Sequence, residues 1–134
     1  MDQDSSTCIS LFPKCVLIVE DDASIGEYLV QAIEQETPYR PLLVRSSQLA
    51  LEIMQQVKPD LLLLDYRLLS LMNGIELYDL IHGTHGFEHI PAIIMSASLP
   101  QPALEYEIKK RSLIALPQPH DLNEFLTALE AALL

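Results

Sequence analysis

A chain of 134 residues is one domain by size, long enough to bury a continuous core and too short for a second folded unit. Hydrophobic residues make up 49% and charged residues 20%, a globular composition whose apolar runs are too short to cross a bilayer. Lys and Arg total 8 against 19 Asp and Glu, a net charge of -11 that repels a phosphate backbone. Cations or basic protein surfaces are the expected partners, rather than nucleic acid or membrane.

The opening stretch, Met1 to Pro13, carries Asp2 and Asp4 where a secretory leader carries basic residues, and it lacks a sustained apolar core. It reads as the tail of a cytoplasmic protein, with the folded domain from Lys14 to Leu134. Cys8 and Cys15 have neither metal-knuckle nor redox-pair spacing, and Cys15 opens an apolar strand where a thiol behaves as a small hydrophobe.

The first strand is Cys15 to Val19, and it ends in Glu20, Asp21 and Asp22. A helix follows, capped by Ser24 with Glu27 three residues on, and Ile25, Leu29, Ala32 and Ile33 form its buried stripe. Thr37, Pro38 and Pro41 break it. Leu42 to Val44 is a short second strand, and Ser46 or Ser47 caps a second helix that buries Ala50, Ile53 and Val57.

The segment Lys58 to Arg67 organises the rest. Leu61 to Leu64 are too few for an ordinary helix, and Pro59 with Asp60 opposes one running through them. A run apolar at every position suits a strand buried on both faces of a parallel sheet, and it stops at Asp65. Asn73 and Gly74 then precede a helix carrying Ile75, Leu77, Tyr78 and Ile81, which Gly83 and Gly86 end. Pro91 introduces a fourth strand, Ala92 to Met95, stopping at Ser96. A shorter helix covers Pro100 to Arg111, and Leu113 to Leu116 is a fifth strand before Pro117, Gln118 and Pro119. Asp121 and Glu124 cap a last helix with Leu122, Phe125, Leu126, Leu129 and Leu133 on one side.

Regular alternation of apolar strands with amphipathic helices predicts a doubly wound α/β domain. Ligands of such sheets bind at the carboxyl ends of the strands. Glu20, Asp21, Asp22, Asp65, Ser96 and Gln118 all lie at those ends and are expected to face one crevice. Clustered carboxylates repel one another unless a cation sits among them, and hard oxygen ligands select Mg²⁺ or a similar ion.

The motifs LIVEDD before a helix, PDLLLLD, IPAIIMSA and a last strand ending in PQP resemble the receiver domain of two-component response regulators, from about Lys14 onward. The resemblance implies a flavodoxin-like five-stranded sheet of order 2-1-3-4-5. It implies a phosphoryl group accepted on Asp65 from a histidine kinase or phosphotransfer protein, with Mg²⁺ held by Glu20, Asp21, Asp65 and the backbone carbonyl of Arg67. Ser96 matches the hydroxyl residue that bonds a phosphoryl oxygen, and the bond before Pro119 is expected to be cis. A kinase or phosphotransfer protein, and an output domain or partner protein, are the implied partners.

Three positions depart from the family. Gln118 stands where a lysine usually pairs with the phosphoryl oxygens, and an amide adds no charge; a unit charge at about 4 Å is worth roughly 4 kcal/mol near a surface. Ala115 replaces an aromatic switch residue, and the loop after Asp65, with Leu69 near the usual proline, is one residue longer. These departures motivate a second reading, a receiver-like scaffold that binds a protein without phosphorylation. A metal-dependent phosphatase lacks a plausible nucleophile and acid in Glu20 to Asp22. His82, His85 and His89 have metal-like spacing but fall where a helix-to-strand connection leaves the carboxylates behind. Lys109, Lys110 and Arg111 read as solvated charge complementing a helix dipole, and Tyr78 and Tyr106 as half-buried helix residues.

Overall fold

The computed structural model describes residues 13–68 and 72–133, so expectations for Cys8, for Leu69 and for the tail before Pro13 lie outside the described residues. Five strands alternate with five helices among them. In order these are β1 (Cys15–Val19), α1 (Ala23–Glu36), β2 (Arg40–Val44), α2 (Ser47–Ile53), β3 (Leu61–Asp65), α3 (Gly74–His82), β4 (Ala92–Ser96), α4 (Pro102–Lys110), β5 (Ile114–Pro117) and α5 (Leu122–Leu133). The strands form one parallel sheet of order 2-1-3-4-5, the doubly wound architecture expected. The chain reverses direction across the sheet beside β1, so a crevice opens between the carboxyl ends of β1 and β3.

Two cores explain the uninterrupted leucines. Leu62 and Leu64 join Leu17, Val19, Ala92 and Ile94 beneath α2, α3 and α4, whereas Leu61 and Leu63 join Val16, Ile18, Ile93 and Met95 beneath α1 and α5. Successive strand side chains point to opposite faces, so only a strand covered on both sides needs an apolar residue at every position. All four leucines are 0% exposed, and each such burial is worth about 2 kcal/mol relative to leaving the side chain in water.

Several local expectations shift. The first helix is capped by Asp22, whose Oδ1 accepts from the Ile25 amide at 2.9 Å, so Ser24 lies inside the helix. On this helix Ile25 is 37% exposed, and Gly26 is buried beside Leu29, Ala32 and Ile33 in its place. Ser46 caps α2, which ends at Ile53, so Val57 falls beyond the helix and Met54 is buried with Ala50. The last helix begins as expected, with Asp121 Oδ1 accepting from the Glu124 amide and Glu124 Oε1 from the Asp121 amide. Leu122 on that helix is exposed, and Ala128 is buried instead.

Away from the crevice, Arg111 is not solvated charge: its guanidinium makes two 2.7 Å bonds to Asp79 of α3 and two of 2.8 Å to Glu107, one to the carboxylate and one to the backbone carbonyl. These contacts hold the Asp79 carboxyl below its usual range. Tyr78 is buried and stacks on His82, while Tyr106 is 64% exposed, so neither is half-buried.

Helix α3 starts at a reciprocal capping box, Asn73 with Glu76, that positions it directly after the Asp65 loop. Asn73→Ala leaves the Glu76 amide without its acceptor and should cost about 1 kcal/mol. Urea denaturation read by circular dichroism measures it, and an unchanged midpoint would contradict the assignment.

Candidate functional site

Three strand ends build the crevice. β1 stops at Val19 because its next residues are acids, which places Glu20 one step beyond a fully buried strand. The Glu20 amide still donates to the Val44 carbonyl of β2 at 3.1 Å, so its backbone stays in the sheet and its side chain stays inside, at 1% exposure. Asp65 is the last residue of β3 and is 9% exposed, and Ser96 is the last of β4 at 1%.

Carboxylate oxygens of Glu20, Asp21 and Asp65 lie within 4.8 Å of one another, the only such group of possible metal ligands among the described residues. Asp22 does not join them, because its carboxylate is engaged as the cap of α1. The histidines do not form a site either. His82 is held by Tyr78, whose hydroxyl lies 3.3 Å from Nδ1, and His85, its side chain fully exposed, sits 3.7 Å from Glu88.

Burial pushes the Glu20 carboxyl up to about 8, with the neighbouring Asp65 and Asp21 charges adding to the shift and a bond from the Asp22 amide opposing it. Asp65 is also raised, chiefly by burial and further by Asp21, although a bond with the Glu20 side chain and the backbone amides of Arg67 and Tyr66 partly offset this. The site thus holds acids that resist ionisation in the absence of a cation. Glu20 Oε2 accepts from the Asp22 amide at 3.1 Å, whereas the buried Oε1 has no hydrogen-bond partner. A buried oxygen left unpaired is costly, and an all-oxygen donor set with one such atom fits a hard divalent cation.

Ser96 Oγ accepts from the Ser98 amide at 2.9 Å, and the Ser96 carbonyl accepts from the Gln118 amide at 2.9 Å. That second bond fastens the end of β5 beside the crevice. The Gln118–Pro119 bond is cis, as the resemblance implied, and so is Leu99–Pro100, which nothing in the sequence singled out. Gln118 lines a groove of about 420 Å³ with Ile25, Tyr28, Ala97, Pro119 and His120. Ala115 is an exposed position on β5.

Two contributors escape sequence reasoning. Gly74 lies so close to the end of β3 that a Cβ there would meet the Asp65 carbonyl oxygen at 2.5 Å, and its amide donates to the Tyr66 carbonyl at 2.9 Å. The Asn-Gly pair signalled a helix start but not this close approach. The Arg67 Nε donates to Ser98 Oγ at 3.4 Å across 31 positions of sequence, a pairing with no local signal.

Comparison with known proteins agrees with the geometry. The DNA-binding transcriptional regulator NtrC of Proteus hauseri is 31% identical over 121 residues, covering 88% of this chain and 24% of that protein. The chain therefore spans about a quarter of that relative's length. Chemotaxis response regulator CheY4 of Vibrio cholerae superposes with a TM-score of 0.81 at 19% identity, over 90% of this chain and 98% of that one. The signal receiver domain of a putative LuxO repressor from Vibrio parahaemolyticus gives 0.79 at 25% identity, over 91% of each chain. Residues 16–130 match the response regulator receiver domain, and with its sheet order and an acidic crevice at the expected strand ends, this chain belongs to that family.

Proposed function

We propose that the domain accepts a phosphoryl group on Asp65 in a Mg²⁺-dependent reaction and passes the signal through its altered surface. The observation that carries this is the convergence of Glu20, Asp21 and Asp65 with one buried glutamate oxygen unpartnered. An Asp65 carboxylate oxygen attacks phosphorus, and the bond from phosphorus to a donor imidazole nitrogen breaks, its electron pair leaving with the ring. Glu20, Asp21, Asp65 and the Arg67 carbonyl would hold Mg²⁺, which would supply charge neutralisation for the transfer. Ser96 offers its hydroxyl to a phosphoryl oxygen, and its own acceptor bond to Ser98 orients that hydroxyl. Such transfer needs positioning and electrostatics more than further covalent help.

The donor is a histidine kinase or phosphotransfer protein. The groove lined by Gln118 and Ala97, with exposed Ile25 and Tyr28, offers it apolar area at the carboxyl edge of the sheet. The relative that is a DNA-binding regulator motivates an output domain or partner as the reader of the signal. The net charge of -11 favours a protein or a separate domain over this chain as the DNA contact. No described helix is long and apolar enough to cross a membrane.

Intact-mass measurement after exposure to phosphoramidate tests the proposal. The mass of one phosphoryl group should appear with Mg²⁺ and fail to appear in EDTA. No gain under either condition would refute it and leave a protein-binding scaffold as the function.

A further inference from the structure

We infer that the Arg67 side chain supplies the cationic contact to the phosphoryl group that the neutral Gln118 cannot give, an inference that deepens the phosphoacceptor reading and rests on it. After transfer, the crevice holds Glu20, Asp21 and a phosphoryl group of nearly two negative charges. Together these outnumber the positive charge of one divalent ion. A further cation is required on charge grounds, and Gln118 is an amide.

All 8 lysines and arginines lie among the described residues. Lys14, Arg40 and Lys58 stand at the amino ends of β1, β2 and β3, and Lys109, Lys110 and Arg111 end α4 just ahead of the amino end of β5. Parallel strands place all of these at the edge of the sheet opposite the carboxylates. Arg45 and Arg67 remain at the carboxyl edge. Arg45 follows β2, the outermost strand, with β1 between it and β3, whereas Arg67 is two residues beyond Asp65.

The Arg67 side chain also reaches the loop after β4, the strand next to β3. Its Nε donates to Ser98 Oγ at 3.4 Å, and the Ser98 amide donates to Ser96 Oγ at 2.9 Å. The guanidinium is thereby tied to the loop that follows Ser96, at the end of the strand beside the one carrying Asp65. Bonding through Nε leaves the two terminal nitrogens as a planar pair of donors, the geometry that meets two phosphoryl oxygens at once. During transfer from acetyl phosphate, an Asp65 oxygen bonds to phosphorus while the phosphorus–oxygen bond to acetate breaks and acetate leaves with the electron pair. Arg67 exchanges no proton in this step.

Calorimetric titration with beryllofluoride, standing in for the phosphoryl group, in saturating Mg²⁺ provides the test. Arg67→Gln should weaken binding about 10–100-fold, the loss of one charge-assisted contact. Arg67→Lys should keep part of the affinity, and adding Gln118→Lys to Arg67→Gln should recover most of the loss. Binding by Arg67→Gln equal to the unaltered protein overturns the inference. So does an equal fall in Mg²⁺ affinity measured without fluoride, which would trace the loss to the loop backbone. If the unaltered protein itself binds no beryllofluoride with Mg²⁺, the phosphoacceptor reading falls first and this one with it.

Discussion

Asp65→Asn should abolish phosphoryl gain from any small donor and, without divalent cation, raise the thermal stability of the protein at pH 8. The first effect removes the nucleophile, since an amide nitrogen or oxygen does not form the acyl phosphate. The second follows from where the protons sit. Glu20 is raised from 4.5 to about 8 in the folded state, principally by burial, and Asp65 is raised as well. The folded chain therefore holds protons that the unfolded chain has already released. This contribution to stability is full below about pH 4.5 and is lost as the pH rises towards 8, by up to about 5 kcal/mol. Removing the Asp65 charge relieves part of that loss, about 1–2 kcal/mol, or roughly 3–8 °C in melting temperature. Mg²⁺ should flatten the pH dependence in the unaltered protein and do so weakly in the variant. Melting curves in EDTA from pH 5 to pH 8 decide the matter; stability that does not fall over that range would contradict the described electrostatics.

Gly74→Ala should destabilise the domain by roughly 2–3 kcal/mol and slow phosphoryl gain, although alanine is the better helix former. The added Cβ would lie 2.5 Å from the Asp65 carbonyl oxygen, 3.1 Å from its carbonyl carbon and 3.2 Å from the Tyr66 Cα, all backbone atoms that cannot swing aside as a side chain does. Either α3 retreats or the end of β3 moves, and the moving backbone is the one that carries the phosphoacceptor. Gly83→Ala is the contrast. Its Cβ would meet Asp79 oxygen at 3.3 Å, and its φ is -82°, so a small effect is expected. Equal denaturation midpoints for the two variants would contradict the argument.

The three central strands were legible in the sequence because each is apolar throughout and gives way to a polar residue, and burial on both faces demands that pattern; the edge strands β2 and β5 are only partly buried and showed as short apolar runs between turn residues. Their observed limits differ from the expected ones by at most two residues. The caps were harder. Ser24 with Glu27 and Asp22 with Ile25 offer the same chain alternative starts, and the cap is Asp22, with Gly26 of the first turn lying against Leu43 of β2. Arg111 looked like one of three solvated cations until α3 brought Asp79 to it from 32 positions away.

By itself the sequence determined the doubly wound sheet, its apolar layers and the acids at the strand ends, since hydrophobic period and the residues that stop each strand are local properties. Only the tertiary structure decided that Glu20, Asp21 and Asp65 converge while Asp22 is spent on a helix cap, that Gly74 leaves no room beside Asp65, and that Arg67 reaches Ser98. Each of those depends on distances between segments far apart in the chain, and such distances are set by packing and not by the spacing of residues along it.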